Sequence, residues 1–240
     1  MTAVGDAEVA IELRSATKRY RDGEREHVVV REVSLRIERG RWVVVRGPSG
    51  SGKTTLLGLM GGLVRPTSGD VWLAGKSIVH LRDHHLAAHR RASVGMVMQD
   101  LGLLPGLSVV DNALLPLVPT GGARSEHLAR VAELTARFGI ADKRDVRVER
   151  MSGGERQRAA LVRALVLDPP VVLLDEPSAH LDAERTAELV RLLGELRAGG
   201  KAVVVATHDE RVAGAEGVDR VVTLKDGTTE AARAPGEGKE

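Results

Sequence analysis

The stretch Gly47-Pro48-Ser49-Gly50-Ser51-Gly52-Lys53-Thr54 fits the pattern G-x-x-x-x-G-K-[ST], a loop built to hold phosphate. Gly47, Gly50 and Gly52 permit a backbone tight enough to aim several N–H groups at one anion. Lys53 adds a fixed positive charge for the outer phosphates, and the Thr54 hydroxyl is a hard oxygen ligand suited to Mg2+. An apolar run at 42–45 leads into the loop. A helical run from Thr54 to Met60 leads out, so the positive end of a helix faces the same anion. Downstream, Val171-Val172-Leu173-Leu174-Asp175-Glu176 reads as an apolar strand ending in two acids. At the carboxyl edge of a parallel sheet, Asp175 is placed to hold Mg2+, and Glu176 to polarise an attacking water. The two motifs together argue for nucleotide hydrolysis; on these alone, P-loop kinases and GTPases stay open.

The elements that must position these groups alternate in type. Strands rich in Val and Ile are expected at 9–14, 28–37, 42–45 and 71–73, with turns at Glu38-Arg39-Gly40 and Ser68-Gly69-Asp70. This suggests an antiparallel layer mixed with the first parallel strand. A surface helix is expected at 81–91 and irregular chain at 99–119, which holds several prolines. An amphipathic helix capped by Ser125 follows to Phe138, then a helix at 154–167 stopped by Asp168-Pro169-Pro170. Strand 171–174, helix 183–197, strand 202–206, helix 209–215 and strand 220–224 complete the alternation, which implies a parallel sheet covered by helices. The expected organisation is a flexible 1–8, one domain over 9–226 with an inserted helical subdomain at about 100–165, and a disordered tail at 227–240.

The 240-residue chain is long enough for one substantial core. Apolar residues make up 42% and charged residues 28%, the profile of a globular protein, and no apolar run approaches the ~18–20 residues a membrane-spanning helix needs. The first eight residues lack the pattern of a secretory signal, and there is no cysteine for disulfides or thiolate-bound metal; a cytoplasmic location is expected. A net charge of +2 with 2% aromatics lacks the basic stripe and stacking platforms of nucleic-acid binders, so no nucleic-acid partner is expected.

A third motif, Met151-Ser152-Gly153-Gly154-Glu155-Arg156-Gln157-Arg158, stands directly before a helix. A Ser and two Gly at a helix N-terminus offer a second anion site, and Glu155 suits the first turn. With this motif the chain resembles the ATP-binding subunit of ATP-binding-cassette (ABC) transporters, from about residue 9 to residue 227. The resemblance implies the P-loop NTPase ABC-ATPase fold, an α/β structure with a mixed-sheet core, an antiparallel β subdomain and an inserted α-helical subdomain. It also implies binding of ATP and Mg2+. By that resemblance Tyr20 stacks on adenine, though a lone Tyr packed on a sheet edge is the simpler alternative. Gly47, Pro48, Ser49, Gly50, Ser51, Gly52, Lys53, Thr54 and Thr55 cradle phosphate. Thr54, Gln99 and Asp175 hold the metal, with Gln99 contacting Mg2+ or the attacking water and linking to the membrane partner, and Glu176 is the base. His208 contacts the γ-phosphate. Ser152, Gly153, Gly154 and Glu155 form the signature, and Asp182 closes the D-loop Ser178-Ala179-His180-Leu181-Asp182. The resemblance further implies a homodimer closed head to tail around two ATP molecules, with a separate integral membrane permease as partner on the cytoplasmic face of the membrane. The alternative is a soluble ABC ATPase with an assembly or regulatory role.

Val97-Met98-Gln99-Asp100-Leu101-Gly102-Leu103-Leu104-Pro105 and the run from Val109 to Leu117 are similar to the branch of lipoprotein-releasing, macrolide-efflux, FtsE-like and antimicrobial-peptide-resistance ATPases. Met96 and Met98 stand where that branch has aromatics, and Asp111 where it has Glu. Leu101, Leu103 and Leu104 either line a groove for the permease or pack inside the helical subdomain. His180 stands where the branch has Asn; it either makes dimer closure pH-sensitive or is a tolerated polar replacement. His80, His84, His85 and His89 have helical spacing and read as a polar helix face rather than a metal site.

Overall fold

The computed structural model describes residues 9–23, 25–121, 124–179 and 181–230, so His180 lies outside the described residues. The chain runs β1 (Val9–Asp22), β2 (Arg25–Glu38), β3 (Trp42–Arg46), α1 (Lys53–Met60), β4 (Ser68–Leu73) and β5 (Lys76–Ser77). It continues with α2 (Asp83–Ser93), β6 (Val94–Val97), α3 (Val109–Leu114), α4 (Arg124–Arg137), α5 (Gly153–Leu165) and β7 (Val171–Asp175). The last elements are α6 (Ala183–Ala198), β8 (Ala202–Ala206), α7 (Glu210–Ala213), β9 (Arg220–Lys225) and β10 (Thr228–Thr229). Two sheets form. One is antiparallel, in the order β2-β1-β4-β5; the other runs β10-β9-β3-β8-β7-β6 and is parallel from β9 to β6.

The Val-rich central strands follow from burial on both faces, which removes the polar alternation of a half-exposed strand. Trp42, Val44, Val172, Leu174, Val203 and Val205 face one core, which α3, α4, α5 and α6 cover. Val43, Val45, Val171, Leu173 and Val204 face a second core, shared with α1 and the antiparallel sheet. Leu56, Leu57, Leu59 and Met60 are all fully buried, as a helix sandwiched between two sheets requires.

Four expectations need correction. The turn at Ser68-Gly69-Asp70 is the start of β4, which pairs with β1 across the irregularity between Arg14 and Thr17. Within 99–119, Ser108 caps α3 by accepting from the Asp111 N–H at 3.1 Å; a six-residue helix followed at once by Pro116 carries no periodic signal. Ser125 lies inside α4, which begins at Arg124. The chain beyond Asp226 continues as a strand, because Thr228 and Thr229 pair with Lys225 and Leu224. Strand β6 was not anticipated. It is short and broken by Gly95, where a Cβ would lie 2.2 Å from the Ala164 carbonyl oxygen; the strand fits against α5 only with glycine there.

Asp219 fastens the amino ends of the strands. It accepts from the Trp42 N–H at 2.7 Å, from Arg197 at 2.7 Å through both Nε and Nη2, and from Arg41 at 3.2 Å. Burial alone would raise its pKa; Arg197, the Trp42 amide and Arg41 more than reverse that and hold it below the ordinary carboxylate value. Asp219→Ala is expected to lower stability by about 2–3 kcal/mol in urea unfolding. For a depressed carboxyl the stabilisation is complete above about pH 4 and is lost as pH falls through the folded value, so the gap to wild type closes in acid.

Candidate functional site

Four loops leave the carboxyl ends of four adjacent parallel strands: residues 47–52 after β3, Thr207-His208 after β8, Glu176 after β7 and Gln99 after β6. In an open parallel sheet this edge is where ligands bind. Gly50 and Gly52 have φ of 78° and 100°, in the left-handed region. Gly47 is required for a different reason, since a Cβ there would lie 2.3 Å from the Leu224 carbonyl oxygen. Ser51 Oγ is buried without a partner, a hydroxyl held ready in the loop. The Lys53 ammonium is itself buried and donates to the Gly47 and Pro48 carbonyls at 2.9 and 3.2 Å.

The acids meet this loop from β7. Thr54 Oγ1 donates to Asp175 Oδ2 at 2.6 Å, while Asp175 Oδ1 is buried and unpartnered. Burial pushes the Asp175 carboxyl up; the Thr54 hydrogen bond opposes this and the neighbouring Glu176 charge adds to it. A buried carboxylate oxygen with a free lone pair beside a threonine hydroxyl is a donor set that fits Mg2+, a hard cation that takes oxygen ligands. Glu176 sits at φ 48°, strained for a non-glycine residue, and its N–H is pinned to the Ala206 carbonyl at 2.8 Å. Its carboxylate lies 3.6 Å from Lys53 Nζ, 3.0 Å from Thr207 Oγ1 and 3.0 Å from His208 Nδ1. Asp209 caps α7 and grips Arg211, whose guanidinium holds the Asp209 carboxyl down to about 2; this fixes the turn that carries His208.

Gln99 is exposed, and lines a cleft of about 260 Å³ together with Asp175, Glu176 and Gly153. Ser152 and Glu155 form a capping box at the N-terminus of α5, and the Ser152–Glu155 hydrogen bonds lower the Glu155 pKa. Ser152 and Gly153 are exposed, and no hydrogen bond joins them or Gly154 to residues 47–55 among the described residues. Tyr20 is 42% exposed near the end of β1, with Lys18 Nζ 5.0 Å from its ring centre. The Asp182 carboxylate is committed to capping α6, accepting from the Arg185 N–H at 2.8 Å. Lys53, Thr54, Asp175, Glu176 and His208 therefore come together in one chain; the signature residues, Tyr20 and Asp182 do not join that cluster. Thr207 was overlooked. Its place beside His208 at a strand end was the available signal.

The histidine group has other partners. His84 and His85 are exposed with ring centres 3.9 Å apart, and His89 Nε2 bonds the Leu73 carbonyl at 2.8 Å. Among the described residues no three His, Cys, Asp or Glu side chains are placed to share a metal, and no helix is long and apolar enough to cross a membrane.

The family model for ABC transporters matches residues 30–179, a span that holds the phosphate loop, Gln99, the signature and Glu176. The chain belongs to the ABC transporter family. It is an ABC ATPase cassette. It is 41% identical to a macrolide export ATP-binding/permease protein MacB of Rhodopseudomonas palustris (strain BisB18), over 95% of this chain and 34% of that protein. It is 43% identical to an uncharacterised ABC transporter ATP-binding protein of Mycobacterium tuberculosis (strain CDC 1551 / Oshkosh), over 85% of this chain and 61% of that one. The cassette thus spans about a third of the first relative's length and about three fifths of the second's. Among solved structures it is similar to the dimeric structure of MJ0796, a bacterial ABC transporter cassette, with a TM-score of 0.83 and 36% identity over 95% of this chain and 100% of that one. A dimeric post-hydrolysis state of MJ0796 bound to ADP and Pi matches with a TM-score of 0.84.

The unpartnered Asp175 oxygen gives a prediction about the empty cassette. A carboxyl whose folded pKa is raised costs stability once pH passes that value. Asp175→Asn should raise the melting temperature of nucleotide-free protein by roughly 2–4 °C, the shift that about 1 kcal/mol gives a domain of this size. The same variant should lose the extra stabilisation that Mg2+ adds to ATP, and differential scanning fluorimetry reads both effects.

Proposed function

We propose that the cassette hydrolyses Mg2+-bound ATP between two head-to-tail copies and so drives a membrane permease. The observation that carries this is the meeting of Lys53, Thr54, Asp175, Glu176 and His208 at adjacent strand ends. Thr54, Asp175 and Gln99 would hold Mg2+, which neutralises phosphate charge when bound. The backbone N–H groups of Gly50, Ser51, Gly52, Lys53, Thr54 and Thr55 take the phosphates, with Gly47, Pro48 and Ser49 shaping the loop. The Lys53 ammonium, which the Gly47 and Pro48 carbonyls hold beside the loop, turns to the outer phosphates.

Glu176 takes the proton of the attacking water as that water's oxygen bonds to the γ-phosphorus and the bond from phosphorus to the leaving oxygen breaks. His208 orients Glu176 through Nδ1 and then the γ-phosphate. The exposed Ser152 and Gly153, with Gly154 behind them at the positive end of α5, have no phosphate of their own chain to hold; the second copy's γ-phosphate is the natural occupant. Glu155 locks that end through the capping box, Asp182 shapes the neighbouring turn, and Tyr20 offers an exposed ring for adenine. The dimeric MJ0796 cassettes support this assembly.

A groove of about 440 Å³ beside Gln99, lined by Leu63, Met98, Leu101, Pro116 and Leu167, is the surface we assign to the permease. Leu101 lines it and, like Leu103, also packs on the core, while Leu104 is exposed. The MacB relatives, whose name joins ATP-binding and permease functions, support a membrane partner and a place on the cytoplasmic face.

Glu176→Gln should cut ATP turnover by about 10²–10⁴-fold with ATP affinity preserved, measured by phosphate release and nucleotide binding. Unchanged turnover would remove Glu176 as the base.

A further inference from the structure

Helix α5 carries Ser152 at its N-cap and, three turns later, Arg163. The Arg163 guanidinium reaches across to the loop after β6. Its Nη2 donates to the Leu101 carbonyl at 2.6 Å and its Nη1 donates to the Gly102 carbonyl. Both residues are in the left-handed region, with φ of 61° and 55°. Left-handed backbone is disfavoured for a residue such as leucine, whose Cβ crowds the following carbonyl, so the turn needs outside support. The same turn is closed on the other side by the Leu101 N–H donating to the Met98 carbonyl at 2.8 Å, which leaves Gln99 and Asp100 at its tip.

Arg163 is not placed there by an acidic partner. Among the described residues it makes no ion pair within 4.0 Å, and burial pulls its pKa down with only the more distant Asp100 charge opposing. A largely desolvated guanidinium held by two backbone carbonyls is costly unless it fixes something. What it fixes is the turn that presents Gln99 to the cleft shared with Asp175 and Glu176. Asn112 grips the following stretch separately: it accepts from the Leu104 N–H at 2.7 Å and donates to the Leu104 and Ser108 carbonyls. Arg163 also lines the groove assigned to the permease, together with Leu101 and Gly102.

We infer that Arg163 is a positioning residue that rivets the Gln99 turn to the signature helix, so that Gln99, the permease groove and the Ser152 end of α5 move as one body. This rests on the proposed role of Gln99 at the metal and attacking water. Arg163 touches neither nucleotide nor water; it acts through Leu101 and Gly102.

The test is a double-mutant cycle on turnover, with ATP affinity and melting temperature measured in parallel. Gln99→Ala and Arg163→Ala should each lower kcat by about tenfold or more, with KM for ATP and metal-free ATP affinity within about twofold of wild type. The double variant should be no slower than Gln99→Ala alone, because both changes remove the same group from the site. Arg163→Lys, which keeps the charge but replaces the rigid planar fork with a single nitrogen on a flexible stem, should fall between wild type and Arg163→Ala. It carries the same cycle if Arg163→Ala does not fold. Multiplying effects, or a loss of turnover that follows lost melting temperature and lost ATP affinity, would reduce Arg163 to a structural staple and overturn the inference. If Gln99→Ala turned over at the wild-type rate, the proposed role of Gln99 would fail and the inference with it. A slow Gln99→Ala beside a wild-type Arg163→Ala would overturn the inference alone.

Discussion

Ala206 is paired with Val45 on one side and with Asp175 on the other, and the whole site depends on that double registration. It has no side chain to contribute beyond a methyl group. Its backbone nevertheless sets which residues of β3, β7 and β8 end at the same height. One residue further, the Glu176 N–H is held on the Ala206 carbonyl, and the Thr207 N–H on the Val45 carbonyl at 3.0 Å. A slip of one position along β7 would turn Asp175 to the other face of the sheet, and a slip along β3 or β8 would part the phosphate loop or His208 from Glu176. The register is protected because both faces are packed: Val44, Leu174 and Val205 on one side, Val45, Leu173 and Val204 on the other, all fully buried. Two cores thus lock a backbone alignment, and the alignment assembles the charges.

The assembled charges are not at rest. Asp175 and Glu176 are adjacent acids, one fully buried and one nearly so, facing a single lysine ammonium at 3.6 Å. Burial and mutual repulsion raise the cost of ionised Asp175, and Glu176 is held in a left-handed backbone that a carboxylate residue does not prefer. The Thr207 hydroxyl and His208 complete the shell around the Glu176 carboxylate. A site of this kind is preorganised: the donors and acceptors are already aimed, and a divalent cation with a polyphosphate would satisfy both the orphaned Asp175 oxygen and the loop N–H groups. The same holds at the turn beyond β6, where two left-handed residues are held by the half-buried Arg163 rather than by their own propensity.

Much of this was legible in the residues because the chemistry forces their types. Gly47 and Gly52 tolerate no side chain, Lys53 and Thr54 must follow them, and two acids must end the strand opposite; such demands leave a pattern in one dimension. Strands buried on both faces were legible as valine runs for the same reason. What escaped was set by tertiary contact. Strand β6 is four residues broken by Gly95, and only the passage of α5 explains that glycine. Helix α3 is too short to show a period. The roles of Thr207 and Arg163 do not show in sequence, since the groups they bond are Glu176, Leu101 and Gly102, reached only through the fold; for Thr207 the one clue is its place beside His208. The signature showed its helix N-terminus in sequence but not what that end holds, because Ser152 faces outward from its own chain.

The central claim is that the exposed end of α5 completes the nucleotide site of another copy. Sedimentation velocity of the Glu176→Gln protein, alone and with ATP or ADP in Mg2+, tests it directly. The account predicts a monomer that becomes a dimer with ATP and not with ADP, and that stays monomeric with ATP when Ser152 is also changed to a bulky residue such as Phe. A protein that remains monomeric at saturating ATP, or one that dimerises equally well with ADP and with Ser152 blocked, would contradict it.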